Sequence, residues 1–165
     1  MWTSASRALG RPCDTPASGR RLVHTLKYGG YTRVVERLAA PLMLGVIDAT
    51  ARFDAVVPVP LHRSRLRRRG FNQAELLAHA VAEKINAPVS GTLQVVRRTR
   101  DQVELSAVGR GANVAGAPRA RVGVRGRVLL IDDVFTTGAT MSACAETLLG
   151  AGAREVHALS LCRTC

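Results

Sequence analysis

Residues 128–140 read Val-Leu-Leu-Ile-Asp-Asp-Val-Phe-Thr-Thr-Gly-Ala-Thr, and no other stretch limits the fold as tightly. Four apolar residues in a row, Val128 to Ile131, show no polar alternation. A strand of that kind must be covered on both faces, which places it inside a parallel sheet flanked by helices. Beyond the turn, Met141, Cys144, Ala145, Leu148 and Leu149 share one face of a helix over residues 140–149. Gly150 and Gly152 stop it. A strand, a hydroxyl-rich turn and a helix N-terminus in that order favour a bound phosphate, because backbone amides and the helix dipole both point at it. Asp132 and Asp133 suit sugar hydroxyls, or Mg²⁺ with its waters, better than phosphate. The combination calls for a phosphorylated sugar. The alternative is a buried strand ending in a solvated acidic turn, but turn chemistry alone does not require Asp-Asp followed by Thr-Thr-Gly-x-Thr.

The rest of the chain repeats the strand–helix alternation. Residues 53–59 form a short apolar run stiffened by Pro58 and Pro60, a strand ending in a rigid loop. Residues 61–72 are basic and irregular. Leu76, Leu77, Ala80, Val81 and Ile85 mark an amphipathic helix over residues 73–85. Residues 92–96 and 156–161 read as strands. Residues 97–124 lack periodicity and carry Gly109, Gly111, Gly116 and Gly123, the pattern of a mobile loop. Upstream, Leu22, Val23 and Leu26 indicate a helix broken by Gly29-Gly30. Val34, Val35, Leu38, Leu42 and Met43 indicate another, with Pro41 at its end or at a kink. Residues 1–18 have no periodicity and read as a flexible lead-in to one α/β domain over residues 19–165, a three-layer parallel sheet flanked by helices. Neither an internal repeat nor an interdomain linker is visible.

Charge narrows the ligand class. The formal net charge is +12, and 22 of the 24 basic residues are Arg. Arg suits bidentate phosphate contacts; the alternative source of such an excess is genomic base composition. Such a chain attracts pyrophosphate, nucleotides or nucleic acid. With only 4% aromatics, a stacking platform for single strands is not expected. No apolar run approaches the roughly 20 residues of a membrane span. The N-terminus lacks a secretory h-region, so the expected location is the cytoplasm, with the cysteines reduced. Cys144 reads as core. Cys162 and Cys165 form a C-x-x-C in a tail expected to be disordered; a metal site needs about four ligands and only Cys13 is left to help, so zinc is not expected.

A doubly wound sheet binds ligands at the C-terminal ends of its strands. Three loops qualify: residues 58–74, residues 97–113 and the 132–140 turn. In the first, five Arg fall within the seven residues 63–69, enough to neutralise a doubly phosphorylated group; the alternative is a solvated basic turn.

The 128–140 run resembles the PRPP-binding motif of type I phosphoribosyltransferases. Three further segments resemble the ComF family: Leu26-Lys27-Tyr28-Gly29; Pro58-Val59-Pro60-Leu61-His62 followed by Arg68-Arg69-Gly70-Phe71-Asn72-Gln73-Ala74; and Gln102 with Leu105-Ser106, Arg110 and Asn113-Val114. Together they cover most of residues 20–164. The resemblance implies a type I phosphoribosyltransferase-like fold and a link to natural competence and DNA uptake. It implies that Asp132 and Asp133 hold the ribose hydroxyls, and that Phe135, Thr136, Thr137, Gly138, Ala139 and Thr140 surround the 5-phosphate. Pro58, Val59, Pro60, Leu61, His62 and Arg63 would sit against pyrophosphate. Arg98, Gln102, Arg110 and Asn113 would belong to a flexible loop that closes over the site. Asp132, Asp133, Arg63 and Arg98 are the implied catalytic set. Mg²⁺ would be carried by the substrate, with no metal ligated directly by the protein. The implied partners are PRPP or a related phosphoribosyl ligand, and nucleic acid or competence proteins.

Two departures stand out. The Cys-rich, zinc-ribbon-like module common at the start of the family is represented only by Cys13. Gly109 and Gly111 flank Arg110, and Pro118 stands where an aromatic is common. His62 is open to two readings, a general base or a structural and anion-contacting group. The function is likewise open between phosphoribosyl transfer to a base, a non-catalytic nucleotide-sensing or DNA-handling module on the same fold, and a structural adaptor.

Overall fold

The computed structural model describes residues 39–48, 50–96 and 117–163, and the backbone of residues 6–8. In chain order the elements are β1 (Ser6–Ala8), α1 (Ala40–Leu44), β2 (Ala55–Pro58), α2 (Arg63–Arg69), α3 (Gln73–Ile85), β3 (Leu93–Val96), β4 (Ala117–Ala120), β5 (Arg127–Phe135), α4 (Ala139–Gly150) and β6 (Glu155–Arg163). Strands β1, β6, β5 and β2 lie in that order in one sheet, and every pairing is parallel. Alternation along the strands sorts the core into two layers. Val56, Leu129, Ile131, Leu159 and Leu161 pack with Met43, Leu77 and Val81 of α1 and α3. Val57, Val128, Leu130, Val156 and Ala158 pack with Met141, Cys144, Ala145 and Leu148 of α4. Both faces of β5 are therefore covered, which is why residues 128–131 carry no polar alternation. The three-layer α/β architecture is the one the sequence calls for.

Four expectations need correction. Residues 61–72 are not irregular throughout: residues 63–69 form α2, capped at one end by His62 and at the other by Gly70, whose φ of +82° is the left-handed geometry that ends helices. Residues 117–120, within the stretch expected to be a mobile loop, form β4, which pairs antiparallel with β3 from Leu93↔Ala120 to Val96↔Ala117. Among the described residues this ribbon has two strands, so Pro118 can leave its missing donor on an outer edge. Ser6–Ala8, inside the expected lead-in, is a strand registered against Val156–Ala158 of β6. Cys162 is not in a disordered tail but buried in β6. In addition, Pro41 lies in the first turn of α1, where its missing N–H leaves no helical bond unmade.

The sheet edge where the strands begin is held by polar contacts. Asp54 accepts the Arg127 N–H at 2.7 Å through its carboxylate and donates its own N–H to the Arg127 carbonyl at 2.8 Å. Arg127 Nε donates to Glu155 Oε2 at 2.9 Å, and His157 Nε2 lies 2.6 Å from Glu155 Oε1. The His157 ring meets Phe53 edge-on at 5.4 Å. Desolvation alone would raise the Glu155 pKa. Hydrogen bonds and charges from His157 and Arg127 outweigh it, and the carboxyl is held below its ordinary value. No helix among the described residues is long and apolar enough to cross a membrane.

Candidate functional site

The opposite edge, where the strands end, gathers the residues singled out from sequence. β2 and β5 are neighbours, with Pro58 registered against Ile131. The Val59 N–H donates to the Ile131 carbonyl at 2.8 Å, so the Pro-x-Pro segment leaves the sheet beside Asp132. Val59 is buried, while Pro58, Pro60, Leu61 and His62 are half-buried. Asp132 and Asp133, both half-buried, are still within β5. Alternation carries Asp132 to the α4 side of the sheet and Asp133 to the α3 side, so the pair straddles the sheet's rim. The Asp133 N–H donates to Asp132 Oδ1 at 2.8 Å, which fixes one carboxylate against the backbone. The Asp132 charge also acts on Cys144 of α4. Burial first, and that charge second, push the Cys144 thiol up to about 12.

Alternation slips after Asp133. Val134 packs with the α3-side core and Phe135 with the α4-side core. Phe135 then covers the turn. Gly138 has a φ of +78° and is buried against the ring; a Cβ there would lie 2.6 Å from Phe135 Cζ. Only glycine fits both the backbone and the space. The Arg163 guanidinium lies over the same ring, 5.8 Å from its centroid. Thr136, Thr137, Ala139 and Thr140 are exposed around the N-terminus of α4. The Ala139 N–H approaches Thr137 Oγ1 at 3.4 Å, and the Ser142 N–H returns to the Gly138 carbonyl at 2.8 Å. The first turn of this twelve-residue helix offers amides that have no intrahelical acceptor.

Helix α2 begins where the Pro-x-Pro segment ends. His62 is its N-cap: Nδ1 accepts the Ser64 N–H at 3.3 Å and lies 2.7 Å from the Ser64 hydroxyl. A ring nitrogen that accepts an N–H holds no proton, so the proton of the neutral ring sits on Nε2. This favours the structural and anion-contacting reading of His62 over the general-base reading. Arg63, Arg65, Arg67 and Arg68 are exposed, and none makes an ion pair among the described residues. Arg69 donates to Gln73 Oε1 at 3.4 Å. Asn72 was not singled out from sequence as a site residue, although an Asn directly before a helical pattern is a cap signal. Its Oδ1 accepts the Ala74 N–H at 3.2 Å and its Nδ2 donates to the Val59 carbonyl at 3.1 Å.

Arg98, Gln102, Arg110 and Asn113 lie outside the described residues. The pair Val96↔Ala117 holds the two ends of their segment in the β3–β4 ribbon. Among the described residues, no three His, Cys, Asp or Glu side chains gather as a metal cage.

Residues 69–164 match the family model described as the phosphoribosyl transferase domain. The DNA utilization protein YhgH of Salmonella typhi is 39% identical over 150 residues, covering 87% of this chain and 66% of that protein. Competence protein F of Haemophilus influenzae is 32% identical over 152 residues, covering 86% of this chain and 66% of that protein. The chain thus spans slightly under two thirds of the length of these relatives. Among solved structures, the orotate phosphoribosyltransferase from Aeropyrum pernix aligns with a TM-score of 0.42 and 20% identity, over 76% of this chain and 70% of that one. The chain belongs to the phosphoribosyl transferase domain family and, within it, to the ComF-type members of the type I class.

Proposed function

We propose that this chain binds PRPP, or the ribose 5-phosphate portion of a related ligand, across the C-terminal ends of β2 and β5. The observation that carries the reading is the register of Pro58 against Ile131, which sends an arginine-rich segment and an acid–phosphate-loop turn out of adjacent strands. The turn from Phe135 to Thr140 offers amides and hydroxyls to the 5-phosphate. Asp132 and Asp133, one on each side of the rim, take the ribose hydroxyls. Pro58 to His62 line the pyrophosphate group and Arg63 neutralises it, with His62 Nε2–H a further donor. Mg²⁺ fits as an ion held by ligand oxygens and water, with the two Asp carboxylates as acceptors for that water. When bound it offsets pyrophosphate charge.

In the catalytic form of this reading, the C1–pyrophosphate bond breaks and a nucleobase nitrogen bonds to C1, its proton passing to solvent. Pyrophosphate leaves with the electron pair. Arg63 stabilises the charge on the leaving group, and Arg98 is assigned the same role. Gln102, Arg110 and Asn113 complete the proposed set, whose task is to exclude water from the reacting bond. The competence and DNA-utilization names of the relatives support a role in DNA uptake or use. A cytoplasmic setting, where thiols such as Cys144 stay reduced, belongs to the same reading.

The test is calorimetry with PRPP and Mg²⁺ on the wild type and on the double variant Asp132→Ala, Asp133→Ala. Hydrogen bonds to charged groups contribute about 1.5–3 kcal/mol each, so affinity falls by at least tenfold. Equal affinity in the two proteins removes the ribose assignment. Pyrophosphate release across a panel of nucleobases then separates turnover from sensing.

A second reading, a non-catalytic DNA-handling module on the same fold, is favoured by the exposed arginines of α2 and the net charge of +12. It requires DNA affinity that falls steeply with salt. A flat salt response argues against it.

A further inference from the structure

We propose that Asn72 is a positioning residue that sets where the pyrophosphate segment stands relative to the ribose acids; this rests on the ligand reading above. Residues 60–71 leave the sheet at Val59 and return at Asn72, carrying Arg63 and α2 between them. Asn72 closes this excursion. Its Nδ2 spans thirteen residues to the Val59 carbonyl at 3.1 Å, while its Oδ1 caps α3 through the Ala74 N–H at 3.2 Å. The two partners, a carbonyl and an N–H, fix which way the carboxamide points. Arg69 and Gln73 tie the excursion a second time, at 3.4 Å.

Val59 is the residue that matters at the other end. Its N–H is held by the Ile131 carbonyl at 2.8 Å, and Ile131 directly precedes Asp132. Its side chain is buried. With its carbonyl held by Asn72, both polar groups of the Val59 backbone are committed. A continuous chain of contacts therefore runs from the first turn of α3, through Val59, to the strand that bears the acids. The spacing between Arg63 and Asp132 depends on it, and ligands that bridge the two loops are sensitive to it. Ribose 5-phosphate, which reaches only the Asp132–Thr140 turn, is not.

The two jobs of Asn72 can be separated. Serine caps a helix as well as asparagine does, but its hydroxyl is too short to cap α3 and reach Val59 together. Asn72→Ser is therefore expected to lower the Tm by less than Asn72→Ala does, weaken Mg²⁺–PRPP binding by about three- to tenfold, and leave ribose 5-phosphate binding unchanged. Asn72→Ala also loses the cap and melts lower. Unchanged PRPP affinity in Asn72→Ser overturns the proposal, and so does an equal loss for both ligands, which would mean general loosening. If the Ser variant does not fold, Asn72→Thr replaces it as an uncharged cap. If the wild type binds neither ligand, the ligand reading fails, and amide hydrogen exchange decides the clasp separately. Asn72→Ser then has to speed exchange over residues 59–71 and nowhere else; unchanged exchange there overturns the clasp.

Discussion

The two edges of the parallel sheet treat charge in opposite ways. Where the strands begin, Asp54, Arg127, Glu155 and His157 Nε2 are linked to one another within hydrogen-bond distance. Where they end, Arg63, Arg65, Arg67 and Arg68 make no ion pair among the described residues, and the Asp133 N–H donates to the Asp132 carboxylate. The same sheet thus carries one closed edge and one open edge. Charges that meet each other hold architecture together. On the proposed ligand reading, the exposed arginines at the open edge meet a bound anion, and mutations at the two edges should then differ in how they affect stability and binding.

The largest effect is expected at Gly138→Val, on the open edge. A β-branched residue at φ +78° facing the Phe135 ring costs roughly 1–3 kcal/mol in backbone strain alone. Ribose 5-phosphate binding is lost, and because the strain also lowers the urea midpoint, this variant tests the turn itself rather than the division between edges. A variant with wild-type binding would show that this turn is not a phosphate loop. Next comes Glu155→Gln on the closed edge, which loses about 0.5–1 kcal/mol of stability after solvent screening and leaves PRPP affinity unchanged. Altered affinity would break the division between edges.

The acid limb of stability sharpens the same comparison. The Glu155 carboxyl is held below its ordinary value in the fold. Its contribution is therefore complete above the unfolded carboxylate pKa and is lost as pH falls through the lower folded value. Denaturation between neutral and acid pH should show a steeper decline in wild type than in Glu155→Gln, and parallel curves would remove the linkage. The smallest effect concerns Cys144, whose thiol is pushed up to about 12 beneath the open edge. Iodoacetamide should leave Cys144 unlabelled in the native protein and label it fully in urea, as read by peptide mass mapping.

What could be read from sequence follows the strength of the local signal. The β5–turn–α4 junction is legible because burial on two faces, a tight turn and a helix start each leave their own residue pattern. Helix α3 is legible from its apolar face. Helix α2 is not, because a helix that buries nothing has no periodicity to show; it forms from the good helix propensity of Arg and Leu and from its His62 and Gly70 ends. Strand β4 was hidden by Pro118, and its partner β3 lies twenty residues upstream. Within the site, Gly138 stood out by position in its motif, whereas its fit under Phe135 is a three-dimensional fact. The role of Asn72 also needs the fold, since its second partner lies thirteen residues away.

The β3–β4 ribbon has a consequence for how such a protein can change. The pair Val96↔Ala117 fixes both ends of residues 97–116. For any unstructured connection of about twenty residues, closure entropy rises only with the logarithm of length, so about six more residues between fixed ends cost on the order of 0.2 kcal/mol. A lineage can lengthen, shorten or rewrite that stretch, as one changes a tool in a handle, while the sheet and its two edges stay as they are.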